Sequence, residues 1–162
     1  MNRPVLPNFA ARSAGWLAPI GLVLVTLAGC AAQAPQPQWY ERATAKPYAD
    51  VVAELEVAIT EQNFRITGHN HIGSVIRNRD NIAFPDYDAI QFCNLTLAKE
   101  MLEMSPAAVN YMPCNVTARA HDGQTVVATH LLPVATGNRK LDAFFLRMND
   151  KLKHIVDFAV EP

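Results

Sequence analysis

The chain has 162 residues, half of them hydrophobic by type, and its 14 Lys and Arg nearly balance 15 Asp and Glu for a formal charge of −1. Nucleic-acid binding demands clustered positive charge, which this balance does not supply. No internal repeat and no second linker divides the chain, and its length suits one ordinary domain with a single core.

Residues 1–29 read as a bacterial secretion signal and stand apart from any fold reasoning. Arg3 and Arg12 form its positive leading region, and residues 16–28 are apolar but shorter than the ~20 residues a spanning helix needs. The tetrapeptide LAGC at residues 27–30 resembles the lipobox of bacterial lipoproteins. That resemblance implies cleavage before Cys30 and acylation of this cysteine. Each buried methylene adds roughly 0.8 kcal/mol of membrane affinity, so several acyl chains anchor a protein to the bilayer without spanning it. Ala31 stands where an aspartate would mark inner-membrane retention, so the expected address is a periplasm-facing anchor, in the outer membrane rather than the inner. Residues 30–38 are then the lipidated cysteine and an extended, proline-containing tether. At ~3 Å per residue it reaches roughly 25 Å. Loss of the signal removes two arginines and leaves 12 basic residues against 15 acidic, a net of −3.

The body is residues 39–162, with a short strand at 39–43 as its first candidate element. Val51, Leu55, Ala58 and Ile59 fall on one face of a helix over 47–63. Phe64 and Ile66 then alternate with Arg65 and Thr67, the period of a half-buried strand, at whose end sit His69, Asn70 and His71. Residues 72–81 fit either a short helix or an irregular segment, and Phe84, Pro85 and Asp86 mark a turn. A strand is expected over 87–93 and a helix over 95–104, with Asn94 as its N-cap and Ser105 and Pro106 as its stop. Residues 110–120 alternate again and meet Asp122–Gly123, a hairpin signal, before a second strand from Gln124. The segment 139–159 places Leu141, Phe144, Phe145, Met148, Leu152, Ile155, Val156 and Ala159 on one side of a long amphipathic helix. A mainly antiparallel sheet with helices to cover one face is an α+β fold in two layers, a sheet-and-helix sandwich.

The run IQFCNLTLAKEMLEMSPAAVNYMPCNVTARAHDGQTVVATHLLP, residues 90–133, resembles the signature of the domain of unknown function 302 family. The likeness extends over about 48–156 and includes Asn63 and Phe64 where the family has a Gly-Phe step. Leu95 replaces a usual proline and Met112 a frequent leucine. The resemblance implies a sheet-and-helix domain of the TATA-binding-protein-like (TBP-like) class and carries no set of catalytic residues.

With Cys30 consumed by lipid, Cys93 and Cys114 remain in a compartment where disulfides persist. Cys93 ends one strand and Cys114 begins the next, one helix later, so the first reading is a structural disulfide or a buried thiol pair. A bridge closing that loop would stabilise the fold by roughly 3 kcal/mol. A redox role for Cys93 at a helix N-terminus is the rival, without the support of a C-x-x-C spacing. Metal is a further one: His69 and His71 form an H-x-H pair, and Cys93, Cys114, Met101, Met104 and Met112 offer soft ligands suited to copper(I). His121, His130 and His154 read as turn, strand and solvated helix residues.

No G-x-S-x-G elbow, H-E-x-x-H pair or P-loop occurs, and Asp86, Asp88 and Glu100 read as solvated carboxylates. Asn94 and Asn115 match glycosylation sequons, which a bacterial lipobox makes accidental. The expected protein is therefore a membrane-tethered, non-enzymatic domain, without a cofactor, that binds a small ligand or a partner protein. An uncovered sheet face would call for that partner or for a second copy of the chain. The alternative is a thiol-redox or copper-handling lipoprotein using Cys93, Cys114, His69 and His71.

Overall fold

The computed structural model describes residues 39–162. The signal, Cys30 and the tether expected within residues 1–38 lie outside the described residues.

Strand β1 (Trp39–Thr44) leads into α1 (Tyr48–Glu61), whose buried residues are the four that its periodicity predicts: Val51, Leu55, Ala58 and Ile59. Asn63 ends this helix in the left-handed region at φ 63°, and Phe64 N–H donates to Ile59 O at 3.1 Å. Asparagine tolerates that conformation better than other residues with side chains, so it serves here in place of glycine. Strand β2 (Arg65–His71) runs directly into α2 (Ile72–Asp80), which resolves the ambiguous 72–81 segment as a helix capped by Asn81 at φ 51°. Strand β3 (Tyr87–Cys93) is followed by α3 (Leu95–Met104), and the Asn94 side chain caps it by accepting from Leu97 N–H at 3.0 Å.

The alternation over 110–120 predicts a strand that starts too early. Pro106–Tyr111 forms a 3-10 helix, and β4 begins only at Cys114 (Cys114–His121), because Pro106 starts a turn and Pro113 brings no N–H to a sheet ladder. Asp122 and Gly123, with φ 49° and 77°, form the hairpin turn into β5 (Gln124–His130). Helix α4 (Arg139–Val160) starts under an Asn138 cap.

The five strands form one open antiparallel sheet in the order β1-β5-β4-β3-β2. Helices α1 and α4 pack together and against one face of it. Phe92, Ile90, Val116 and Val127 from the sheet meet Leu55, Ile59, Phe144, Phe145, Leu152 and Val156 from the helices in a single core. Each such buried side chain contributes roughly 1.5–3 kcal/mol. The fold is α+β, in a sheet layer and a helix layer, as the element order predicts.

The pleat sorts the chemistry between the two layers. Asp88, Ile90 and Phe92 alternate onto the covered face, opposite Ala118, Val116 and Cys114. In β2 the register slips between Ile66 and Gly68, so that Thr67 is an extra residue. Simple alternation from Phe64 and Ile66 would turn His69 and His71 to the open face; the bulge reverses the parity and sets both on the face that carries Asp88 and Ile90.

Candidate functional site

His69 and His71 are two residues apart on one strand and therefore share a face. The β2–β3 register sets His71 opposite Asp88 and His69 opposite Ile90. Asp88 Oδ2 lies 3.1 Å from His69 Nε2 and 3.2 Å from His71 Nδ1, and the two imidazole centroids are 3.9 Å apart. From α1, Glu56 Oε1 approaches the other nitrogen of His69, Nδ1, at 3.1 Å. The Asp88 and His69 side chains are only 10% and 16% exposed, whereas that of His71 is 56% exposed and opens the cluster to solvent.

Backbone contacts hold this arrangement. A Cβ on Gly73, two residues after His71, would lie 2.4 Å from Pro85 O and 2.8 Å from Tyr87 N. Only glycine lets α2 rest on the start of β3 at that distance, and the contact fixes the chain just beyond His71 beside the strand that carries Asp88. Arg77 of α2 reinforces it by donating to Phe84 O at 2.7 Å and to Asp86 Oδ1 at 2.8 Å. Tyr48 completes the surroundings: its hydroxyl donates to Ala118 O at 3.2 Å, and burial, then the charges of Asp88 and Asp86, push its pKa well above the usual phenol range.

The stoichiometry of protons in this cluster is unusual. A neutral imidazole donates through one nitrogen only, yet His69 turns both nitrogens toward carboxylate oxygens. On a neutral ring, one of the two contacts therefore lacks a donor from His69.

The two cysteines sit elsewhere. Cys114 pairs in register with Phe92, not Cys93, and of the disulfide or thiol pair expected from their spacing the structure holds two free thiols. Cys93, as the last residue of β3, still reaches the pocket that Cys114 lines, together with Met101, Met112 and Met148. This pocket, about 20 Å³, admits one water-sized body. Burial and then the neighbouring Cys93 raise the Cys114 thiol to about 11. Cys93 lies five residues beyond Asp88 on β3, about 16 Å along a strand, so the structure does not join the histidines and thiols into one site.

The remaining candidates separate as well. Asp86 pairs with Arg77, and Glu100 with Arg147 at 3.1 Å. Met101 is buried core and Met104 packs against it. His121 ends β4 beside Asp122, His130 ends β5 edge-on to Trp39, and His154 lies near Phe158 on α4. Sequence reasoning missed Asp88 and Glu56 as partners of the histidines. The one available signal was Gly68, because glycine inside a strand marks a bulge.

The family model for the domain of unknown function DUF302 matches residues 40–159. Among solved structures, an uncharacterized conserved DUF302 protein from Bacillus stearothermophilus is similar in fold, with a TM-score of 0.68 over 78% of this chain and 100% of that one, at 12% identity. At that identity the likeness shows the fold alone. No curated protein matches the sequence. From Tyr40 to Ala159, sheet, hairpin and helices included, this chain belongs to the DUF302 family.

Proposed function

We propose that the protein is a lipid-anchored domain of the bacterial cell envelope, held to the bilayer through acylated Cys30 and facing the periplasm, that binds its ligand without transforming it. The observation that carries the binding role is the convergence of His69, His71 and Asp88 on rigid, paired strands, with Glu56 behind them and one imidazole open to solvent. The anchoring role rests on LAGC at residues 27–30 and on the short Pro-containing stretch between it and β1. A tether of that length keeps the domain near the membrane surface.

A second reading, copper(I) or thiol-redox chemistry, is favoured by one feature: Cys93, Cys114 and three methionine side chains line a single ion-sized pocket. The raised Cys114 thiol works against it, because the thiolate is both the nucleophile and the metal ligand.

Replacing Cys30 with serine tests the anchor. The intact chain is expected in the membrane fraction with the added mass of acyl groups, and the Cys30→Ser chain without that mass and outside the acylated pool. An intact chain that lacks acyl mass would refute the anchor, and turnover of a substrate dependent on His69 or His71 would refute the non-catalytic role.

A further inference from the structure

We propose that His69, His71 and Asp88 bind a first-row transition dication of borderline character, for which zinc is the natural probe, with Glu56 as the outer partner that orients the His69 ring. This rests on reading the domain as a binding module and names the class of its ligand.

Three donors are already gathered: His69 Nε2, His71 Nδ1 and an Asp88 carboxylate oxygen all lie within 4.8 Å of one another. Metal–ligand bonds of about 2.0–2.2 Å at tetrahedral angles set donor atoms about 3.4 Å apart. The 3.1 and 3.2 Å separations from Asp88 Oδ2 are within a few tenths of an ångström of that spacing. The third separation, between His69 Nε2 and His71 Nδ1, is no more than 4.8 Å.

The contacts of His69 supply the independent argument. Its Nδ1 faces the Glu56 carboxylate and its Nε2 faces Asp88, so one neutral ring cannot donate to both. With a dication on Nε2 the conflict disappears: Nδ1–H donates to Glu56, and Nε2 and Asp88 turn their lone pairs to the metal. A metal-bound histidine commonly has a carboxylate behind it in this way, fixing its tautomer and raising its basicity.

The donor set selects the ion. Two imidazoles and one carboxylate suit zinc and its first-row neighbours; calcium and magnesium call for oxygen donors, and copper(I) for the sulfur that lies at the far end of β3. Three protein ligands leave a position for water or an exogenous donor, and the exposed His71 stands where an ion would enter.

Zinc titration of the full-length chain in detergent micelles, followed by calorimetry, tests this. One zinc per chain is expected, with affinity lowered at least ~100-fold by His71→Ala and ~10–100-fold by Glu56→Gln, the range for an outer partner. A Cys93→Ser, Cys114→Ser chain should bind zinc as the unaltered one does. Cobalt(II) should show visible bands of a low-coordinate nitrogen and oxygen site that change in Asp88→Asn. His71 is the most exposed ligand, so circular dichroism of His71→Ala should match that of the unaltered chain and separate lost binding from lost folding. No zinc uptake by the folded chain would overturn the proposal. Uptake unchanged in His69→Ala, His71→Ala, or abolished only by loss of the cysteines, would equally overturn it. None of these results bears on the membrane anchor, which the Cys30→Ser experiment decides separately.

Discussion

Single residues account for the chemistry of this domain through what surrounds them. Cys114 shows it: burial raises its thiol from 9.0 to about 11, with the neighbouring Cys93 adding to the shift. At mildly alkaline pH the thiolate population is then ~100-fold smaller than for an unperturbed thiol. Alkylation of Cys114 in the folded chain, followed by mass spectrometry, should be correspondingly slow and should accelerate as pH approaches 11. The linkage has a definite sign. The unfolded chain loses this proton near pH 9 while the folded chain holds it to about 11, so stability from this group is present below pH 9 and is lost between the two values. Fast alkylation at neutral pH would instead mark an activated thiol and favour the redox reading. Asn149 makes the same point with hydrogen bonds. Its side chain accepts from Leu132 N–H at 2.8 Å and donates to Leu132 O at 2.9 Å, both buried, so it substitutes for the sheet partner that this stretch of backbone lacks. Nothing in the local sequence distinguishes Asn149 from the polar residues around it on the helix.

Among the elements, α2 is the one whose position matters most to the site, and its sequence says least. Its buried surface is a single glycine, Gly73. Introduction of a methyl group there meets the backbone of Pro85 and Tyr87 head-on. Gly73→Ala is expected to destabilise the fold by about 1–3 kcal/mol, the range for overpacking, as read by chemical denaturation. The same substitution should weaken zinc binding, because α2 must lift away from β3 and take His71 with it; unchanged stability would show that the contact is slack. In contrast, α3, α4 and the β4–β5 turn were legible in the sequence, although β4 starts later than its alternation suggests. Asn94 and Asn138 both cap their helices, and the buried face of α4 comprises the predicted residues with Asn149 and Val160 added. These elements carry their instructions locally, as caps, turn residues and a clean helical period.

At the scale of the molecule, β1 is an edge of the open sheet. It pairs with β5, the strand farthest from it in sequence, and touches α4, to which Tyr40 is joined by its hydroxyl donating to Asp157 Oδ1 at 2.8 Å. Across the open face Arg119 reaches Glu41 at 2.8 Å, so a β4–β1 ion pair lies over the intervening β5. Deleting residues 39–44 from the full chain should expose the β5 edge, whose unpaired backbone groups are a template for another chain. Light scattering and gel filtration should then show association; a monomeric, stable product would mean that β1 is dispensable. The sequence by itself determined the class of fold, the family and the bounds of most elements, because periodicity, caps and turns act over a few residues. Only the tertiary structure decided that a bulge at Thr67 turns two histidines to the face of Asp88, that Glu56 meets one of them there, and that the thiols lie apart from them. Those outcomes depend on strand register and on helix approach between segments distant in sequence, and a one-residue slip is enough to send a side chain to the opposite face.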